Sequence, residues 1–517
     1  MSRRRELWWF AAICAVALFG YARSFGSPFQ FDDFINITQA ESVKSPTLQE
    51  FSRGARARIV PTATYVLNYQ IGGDNPVGYH VVNFAIHLLA TLAVYGLVLA
   101  LCRTPRLRAT WLAAQALPLA VAAALLFSCH PIQIQAVTYV VQRASSLATL
   151  FYVAAVLLYV RARNAQVGVE PGWPALRYLG STLCGLAAFL SKENAASLPL
   201  AILLAEWTFY PGVAVGRRLL RLAPFVALVL VIPLVWWLFG TRYTGGESLA
   251  DRLSYFVGFL FRRARPVEEV SPLDYFLSQC TVIPRYLRLV FLPGGFNVDH
   301  DVPLATGWSL PVASGLLFLA ALLAFGIYAL RYWPLLGFGI VWFFVALSVE
   351  SSFFPIQDLM VEHRMYLAMP GVAMALAVPF AWALRRWRAG TLVAGTAIAA
   401  GLCALTFARN EVWRTPLSLW EDALAKSPEK SRVHTNLATA LQLDGRIDDA
   451  IAHYCKALAI DPKNKQAQSN LEDAVADQAD KDIDDGGEII LDVVEVGPDG
   501  SLKVAPKDPC AKFRPQK

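Results

Sequence analysis

Charge is scarce in this sequence. Asp, Glu, Lys and Arg make up 16% of its 517 residues, where soluble domains carry about 25%. Set against 56% hydrophobic residues, that shortage excludes an ordinary soluble enzyme. The eight cysteines include no C-x-x-C pair, so their spacing indicates neither a metal site nor a disulfide framework. No basic stretch interleaved with aromatics is present. The net charge of +7 therefore marks membrane-flanking loops rather than a nucleic-acid surface.

What the chain has instead is long apolar runs. They cover Leu7–Ala22, His80–Cys102, Leu112–Cys129, Ser145–Val160, Leu176–Leu190, Ala195–Tyr210, Leu219–Phe239, Trp308–Leu330, Pro334–Val349, Leu367–Leu384 and Thr391–Ala408. By length and hydropathy these are about eleven membrane spans. They are too long for strands, and helices satisfy their own backbone inside lipid. The expected fold is all-α: a polytopic helical membrane protein with a helical C-terminal part. Arg3-Arg4-Arg5 before the first run also fits a signal peptide, but the length of the run and the helix that follows favour a retained anchor.

The arginines orient the chain. Arg3–Arg5, Arg103, Arg106, Arg108, Arg161, Arg163, Arg177, Arg217, Arg218, Arg221, Arg331, Arg385, Arg386 and Arg388 fall on one side of these spans. That side is the cytoplasm by the positive-inside rule. Arg262, Arg263 and Arg265 break the pattern, in a long loop from Gly240 to Gly307. Phe276–Leu292 within that loop is interrupted by Pro284, Arg285 and Arg288 and reads as re-entrant or interfacial. The N-terminus is then cytoplasmic. The loops after the first, third, fifth and seventh spans share the outer face with the loop before Tyr366 and with everything after Ala408.

Polar residues collect on that face. Asp32-Asp33 lies among Phe29, Phe31 and Phe34 in the first outer loop. Two close carboxylates in such surroundings push their pKa values apart, which suits one of them to act as a base on a hydroxyl. The alternative is a helix cap or a solvated loop. His80, Asn83 and His87, at i, i+3 and i+7, form one stripe of the second span, either a cavity wall or a set of helix–helix hydrogen bonds. His130-Pro131 through Gln142-Arg143 joins the third and fourth spans, and Arg143 suits a phosphate or a snorkelling role. Ser191-Lys192-Glu193-Asn194 places charge directly at the end of an apolar run, where polar residues tend to be functional. Glu362-His363-Arg364-Met365-Tyr366 does the same before the tenth. Asn297-Val298-Asp299-His300-Asp301 carries metal-ligand types, but its ligands are adjacent in sequence and have no second matching cluster, so metal is the minority reading.

Beyond Ala408 the chain turns soluble. Ser431–Asn464 fits the 34-residue tetratricopeptide (TPR) period. Trp420, Ala423 and Pro428 recur as Tyr454, Ala457 and Pro462, giving about one and a half repeats, with Gln466–Ala476 as a closing helix. The acidic stretch from Asp477 and the Gly497-Pro498-Asp499-Gly500 turn read as a hairpin or a disordered tail. The organisation expected is 1–408 membrane domain, 409–476 TPR helices and 477–517 tail.

In combination the first-loop Asp-Asp, Asn75-Pro76-Val77-Gly78-Tyr79-His80-Val81-Val82-Asn83, His130-Pro131, Gln142-Arg143, Ser191-Lys192-Glu193-Asn194, Glu362-His363-Arg364-Met365-Tyr366 and a C-terminal TPR resemble the transmembrane and TPR-containing protein O-mannosyltransferases and their bacterial relatives. These are similar to GT-C glycosyltransferases. The resemblance covers nearly the whole chain up to Ala476. This chain departs from the pattern at Gln135, where a glutamate is expected, and in its short TPR array.

The resemblance implies a polyprenyl-phosphate-linked sugar as donor, its phosphate at the outer face of a bacterial inner membrane. Arg143, Lys192 and Arg364 are placed to hold that phosphate and to stabilise charge on the leaving group. Asp32, or else Asp33, takes the proton of an acceptor hydroxyl on a protein or glycan. Direct displacement inverts the anomeric centre. His80, Asn83, His130, Gln142, Glu193, Glu362 and His363 orient donor or acceptor. The TPR is available to a protein partner. The scheme requires no metal and no cofactor beyond the lipid-linked substrate, and leaves a divalent ion open. A transporter or flippase, and a non-catalytic TPR scaffold, are the competing classes; a transporter predicts ionisable residues in mid-span.

Overall fold

Each apolar run folds as a helix. The computed structural model describes residues 3–55, 58–231, 270–484, 494–496, 502–504 and 510. The arginines at 262, 263 and 265, the end of the Leu219–Phe239 run and the turn at 497–500 lie outside them.

Numbering only helices of more than ten residues, the membrane-type part opens with α1 (Arg3–Tyr21), α2 (Ile59–Gly72), α3 (Pro76–Cys102), α4 (Ala116–Cys129) and α5 (Arg143–Gln166). It continues with α6 (Pro174–Phe189), α7 (Leu198–Phe209), α8 (Val215–Val229) and α9 (Pro272–Phe291). It closes with α10 (Leu310–Tyr332), α11 (Pro334–Leu347), α12 (Met365–Arg386) and α13 (Arg388–Val412). Starts are set locally. Asn75 caps α3 by accepting from Val77 N, with Pro76 at the first turn, and Ser271 caps α9 ahead of Pro272. Proline suits that position because its missing N–H would be unpaired there anyway.

Among the described residues five helices are long and apolar enough to cross a membrane, or six if α4 and the bent piece Pro131–Val137 form one broken span. The apolar window of α5 is 72% buried, whereas those of α10 and α13 are 22% buried. Leu310, Leu317, Ile327, Val393 and Ile398 stand exposed there. Such a continuous apolar outer surface belongs in lipid, and the protein is an integral membrane protein. Small residues let two helices meet backbone to backbone: a Cβ on Gly339 would strike the carbonyl of Gly371, and one on Gly371 that of Gly339. This close approach of α11 and α12 is the small-residue packing that lipid favours. Trp342 Nε1 donates to Leu367 O at 3.0 Å across the same contact. The Phe276–Leu292 stretch is one helix, α9, that continues through Pro284.

The chain divides into two units, Met1–Phe296 with Val302–Glu411, and Asn297–Asp301 with Val412–Lys517. The second contains α14 (Pro416–Lys426), α15 (Ser431–Leu443), α16 (Ile447–Ile460), α17 (Lys465–Asp484) and a short antiparallel hairpin of β1 (Val494–Val496) and β2 (Leu502–Val504). The positions that the 34-residue period pairs, Trp420 with Tyr454 and Ala423 with Ala457, are all buried. The segment 297–301 is fastened to this unit. Asp299 accepts from Lys430 Nζ at 2.5 Å and from Arg432 Nε at 2.7 Å. Asn297 Nδ2 donates to Ser427 Oγ at 2.8 Å. The acidic residue of the Asn297–Asp301 cluster is thus engaged by cations.

One expectation needs correction. Cys455 on α16 and Cys510 are joined in a disulfide, 55 residues apart. A single pair at that separation leaves no spacing pattern for sequence to reveal.

Candidate functional site

The first inter-helix loop is built around Asp33. Its carboxylate is buried and accepts from Gln30 N at 3.0 Å and from Val141 N at 2.7 Å. The second bond ties the loop to the turn before α5. Burial pushes Asp33 up to about 7, against the pull of those backbone N–H groups, and the neighbouring Asp32 adds to the rise. Asp32 has a different setting. It is half-buried, and its backbone N donates to Tyr139 Oη at 2.9 Å. Phe31 before it adopts φ 46°, a left-handed conformation rare outside glycine. Its ring stacks on Tyr139 with centroids 6.5 Å apart. Backbone strain of this kind tends to persist where surroundings over-determine it, often at functional sites.

The α3 stripe engages irregular backbone on several sides. His80 Nε2 donates to Ser27 O at 2.9 Å, which leaves Nδ1 as an acceptor in the neutral ring. Asn83 Nδ2 donates to Val137 O at 3.1 Å. His87 bridges Tyr366 Oη at 2.7 Å and Ser128 O at 3.1 Å. His130 sits at the break after α4. It accepts from Ile132 N at 3.2 Å through Nδ1 and donates to Val290 O at 2.9 Å through Nε2.

Arg143 is fully buried. Its Nε donates to Asn83 Oδ1 at 2.6 Å, its Nη1 to Asn68 Oδ1 at 2.7 Å and Thr64 Oγ1 at 3.2 Å, and its Nη2 to Tyr79 O at 3.0 Å. The guanidinium carbon lies 4.7 Å from the Tyr65 ring centroid and 5.6 Å from that of Tyr79. Gln142 beside it accepts from Ser145 Oγ at 3.1 Å.

A second constellation forms where several helix ends converge. Lys192 Nζ lies 2.7 Å from Glu350 Oε1 and donates to Ser145 Oγ at 3.0 Å. Arg58, just before α2, pairs with Glu193 at 3.4 Å. Arg364 donates to Tyr275 Oη at 3.2 Å and to Leu359 O at 3.0 Å. Tyr275 Oη in turn donates to Glu350 O at 2.6 Å. His363 N donates to Gln135 Oε1 at 2.8 Å, with the ring Nδ1 at 3.2 Å from the same oxygen. Glu362 is buried next to it. Burial draws Lys192 below the ordinary lysine range, with Glu350 opposing the fall. Burial works to raise Glu350, but Lys192 and Arg364 outweigh it and hold its carboxyl below the usual glutamate range. The Arg58 guanidinium is pushed up by Glu193. This is a dense set of cations and carboxylates at the ends of apolar helices.

The two constellations share α2. Tyr65 Oη donates to Val141 O at 3.0 Å, beside the Asp33 anchor, and Val60 N donates to Leu190 O at 3.1 Å, beside Lys192. About 10 Å of helix rise separates residue 65 from residue 58. Arg58 and Glu350 escape a reading of motifs. Each nevertheless carries the signal that singles out Lys192, a charge at the edge of an apolar run. Tyr139 and Tyr65 carry no such signal, because their role lies in contacts made far along the chain.

Together these features define an all-helical membrane protein with a loop carboxylate pair and a cation–carboxylate cluster at its helix ends. Known sequences place it further. The chain is 25% identical over 484 residues to the protein O-mannosyl-transferase F38B6.6 of Caenorhabditis elegans, covering 88% of this chain and 63% of the relative. It is 25% identical to the protein O-mannosyl-transferase Tmtc3 of Drosophila melanogaster, covering 91% of this chain and 57% of that one. For human protein O-mannosyl-transferase TMTC1 the identity is 27%, over 81% of this chain and 49% of the relative. The chain is thus related to the transmembrane O-mannosyltransferases over most of its own length, and it spans less than two-thirds of theirs. No protein-family profile matches it. Among solved structures, ArnT from Cupriavidus metallidurans bound to undecaprenyl phosphate aligns with a TM-score of 0.46 at 14% identity, over 93% of this chain and 80% of that one.

Proposed function

We propose that the protein is an inverting membrane glycosyltransferase that moves a sugar, mannosyl-like, from a polyprenyl-phosphate donor to an acceptor hydroxyl, as in protein O-glycosylation. The reaction takes place on the extracytoplasmic face of a bacterial inner membrane. The observation that carries this reading is the division of labour in the Asp pair. Asp33 is spent on two backbone N–H groups, and that anchor turns the less buried Asp32 outward beside Tyr139.

Asp32 then accepts the proton of the acceptor hydroxyl as that oxygen attacks the anomeric carbon. The carbon–phosphate oxygen bond breaks, and its electron pair leaves with the lipid phosphate. Lys192 and Arg364, with Arg58, meet the charge that develops there. The roughly 10 Å of α2 between the two constellations leaves room for a sugar and its phosphate. Glu193, Glu362 and His363 border the phosphate end. Arg143, His80, Asn83, His130 and Gln142 act from behind as anchors of the loop backbone. The O-mannosyltransferase relatives support the sugar-transfer class, and the C-terminal helices are available to an acceptor protein or partner.

The test is sugar transfer by purified protein in detergent, from labelled polyprenyl-phosphate sugars to an envelope extract. Wild type should label a product, and Asp32→Asn should lower the rate by about 10²–10⁴-fold, the usual worth of a general base. Near-normal transfer by Asp32→Asn removes the base assignment, and no transfer from any donor removes the transferase reading.

A further inference from the structure

Lys192 is 5% exposed on its side chain, and a buried ammonium is costly to keep charged without a partner. Glu350 supplies one at 2.7 Å. The glutamate is steadied in turn: Asn194 Nδ2 lies 3.4 Å from its Oε2, and Tyr275 holds its backbone carbonyl. A phosphate that used Lys192 would have to approach the ammonium that this carboxylate already covers.

We propose that Glu350 is a positioning residue, which keeps Lys192 charged and aimed until the donor arrives, yields it to the donor phosphate, and competes for it again when the lipid phosphate leaves. This rests on the transferase reading above. In that reaction the acceptor oxygen bonds to the anomeric carbon, the proton passes to Asp32, and the phosphate changes from a singly charged diester to a monoester with more negative charge. Product therefore grips Lys192 harder than substrate does. A carboxylate next to the same ammonium offsets that grip and speeds release.

The other charged groups around Lys192 come from separate elements. Arg58 precedes α2, Glu193 is its neighbour in the loop, and His363 and Arg364 precede α12. Ser145 of α5 supplies a neutral oxygen. Burial already draws Lys192 below the ordinary lysine range, so removal of Glu350 would leave its charge dependent on pH.

The experiment measures binding of a polyprenyl phosphate to the full-length protein in lipid nanodiscs across pH, alongside donor KM and kcat. Glu350→Gln should tighten binding about tenfold at mildly acidic pH, where the competing carboxylate is gone and Lys192 is still charged. At higher pH its binding should weaken by up to about tenfold per pH unit as Lys192 loses its proton. Donor KM should follow binding, and kcat should fall at the acidic end as product release slows. Glu350→Asp, which keeps the carboxylate, should retain the flat profile of wild type. Lys192→Arg combined with Glu350→Gln should also be flat, because a guanidinium stays charged. This double variant carries the test if Glu350→Gln alone does not fold: a steep profile in it overturns the proposal. A Glu350→Gln profile that matches wild type, or a loss equal at every pH, overturns it while leaving the transferase reading intact. Wild type that neither binds polyprenyl phosphate nor transfers sugar overturns both.

Discussion

At the scale of single residues, Asp33 and Asp32 have the same chemistry and different settings. Asp33 is held by two backbone N–H groups. Asparagine there keeps the volume but turns an NH2 toward one of those donors, which should cost about 1–3 kcal/mol for the unpaired group. A fall in Tm for Asp33→Asn in detergent checks this. The pH dependence gives a second signature. The folded carboxyl is raised from 3.8 to about 7, so between those values the folded protein holds more protons than the unfolded chain. Stability should therefore fall as pH rises through that window, and Asp33→Asn should lose that slope in thermal scans at a series of pH values. The pair itself is visible in the sequence, among its phenylalanines. Which member faces the substrate is not, because the decision rests on the N–H of Val141, 108 residues away. Glu350 illustrates the same limit: a lone acid after an apolar run gains its meaning from Lys192, which reaches it from another loop.

At the scale of elements, sequence reading works where one physical rule dominates. Hydropathy locates the helices of the membrane part because each must bury or lipidate a long apolar face, and the expected runs coincide with helices as far as the described residues extend. It does not reveal how helices are tied together across polar gaps. Arg143 is such a tie. Listed by spacing it is an arginine at headgroup level, but its donors reach α2 through Thr64 and Asn68 and α3 through Asn83 and the Tyr79 carbonyl. Arg143→Lys keeps the charge and loses the planar fork that reaches all four partners. Stranding buried acceptors and an under-paired ammonium should cost about 3–5 kcal/mol. The measurement is the fraction of protein that stays monodisperse after heating. A cost well under that range would return Arg143 to the role of a phosphate contact, since a group reserved for ligand contributes little to the unliganded fold.

At the scale of the whole molecule, topology decides whether the proposed chemistry can occur where the donor phosphate is exposed. The arginine bias sets everything after Ala408 outside the cytoplasm, and the Cys455–Cys510 disulfide bears on that question independently. Disulfides form and persist in oxidising compartments and are reduced in the cytosol. A bridge that closes 55 residues should stabilise the C-terminal unit by about 4 kcal/mol through the entropy it removes from the unfolded chain. Cys14, Cys102, Cys129, Cys184, Cys280 and Cys403 remain as thiols. Cells quenched with an alkylating reagent, then denatured and analysed by mass, should yield protein with those thiols blocked and with Cys455 and Cys510 modified only after reduction. Cys455→Ser should expose Cys510 to the reagent and lower the melting temperature of the C-terminal unit. Recovery of both cysteines already alkylated from unreduced cells would place that unit in the cytoplasm. The whole arginine-based topology would then invert, and the Asp32 loop would lie on the wrong side for an extracytoplasmic donor.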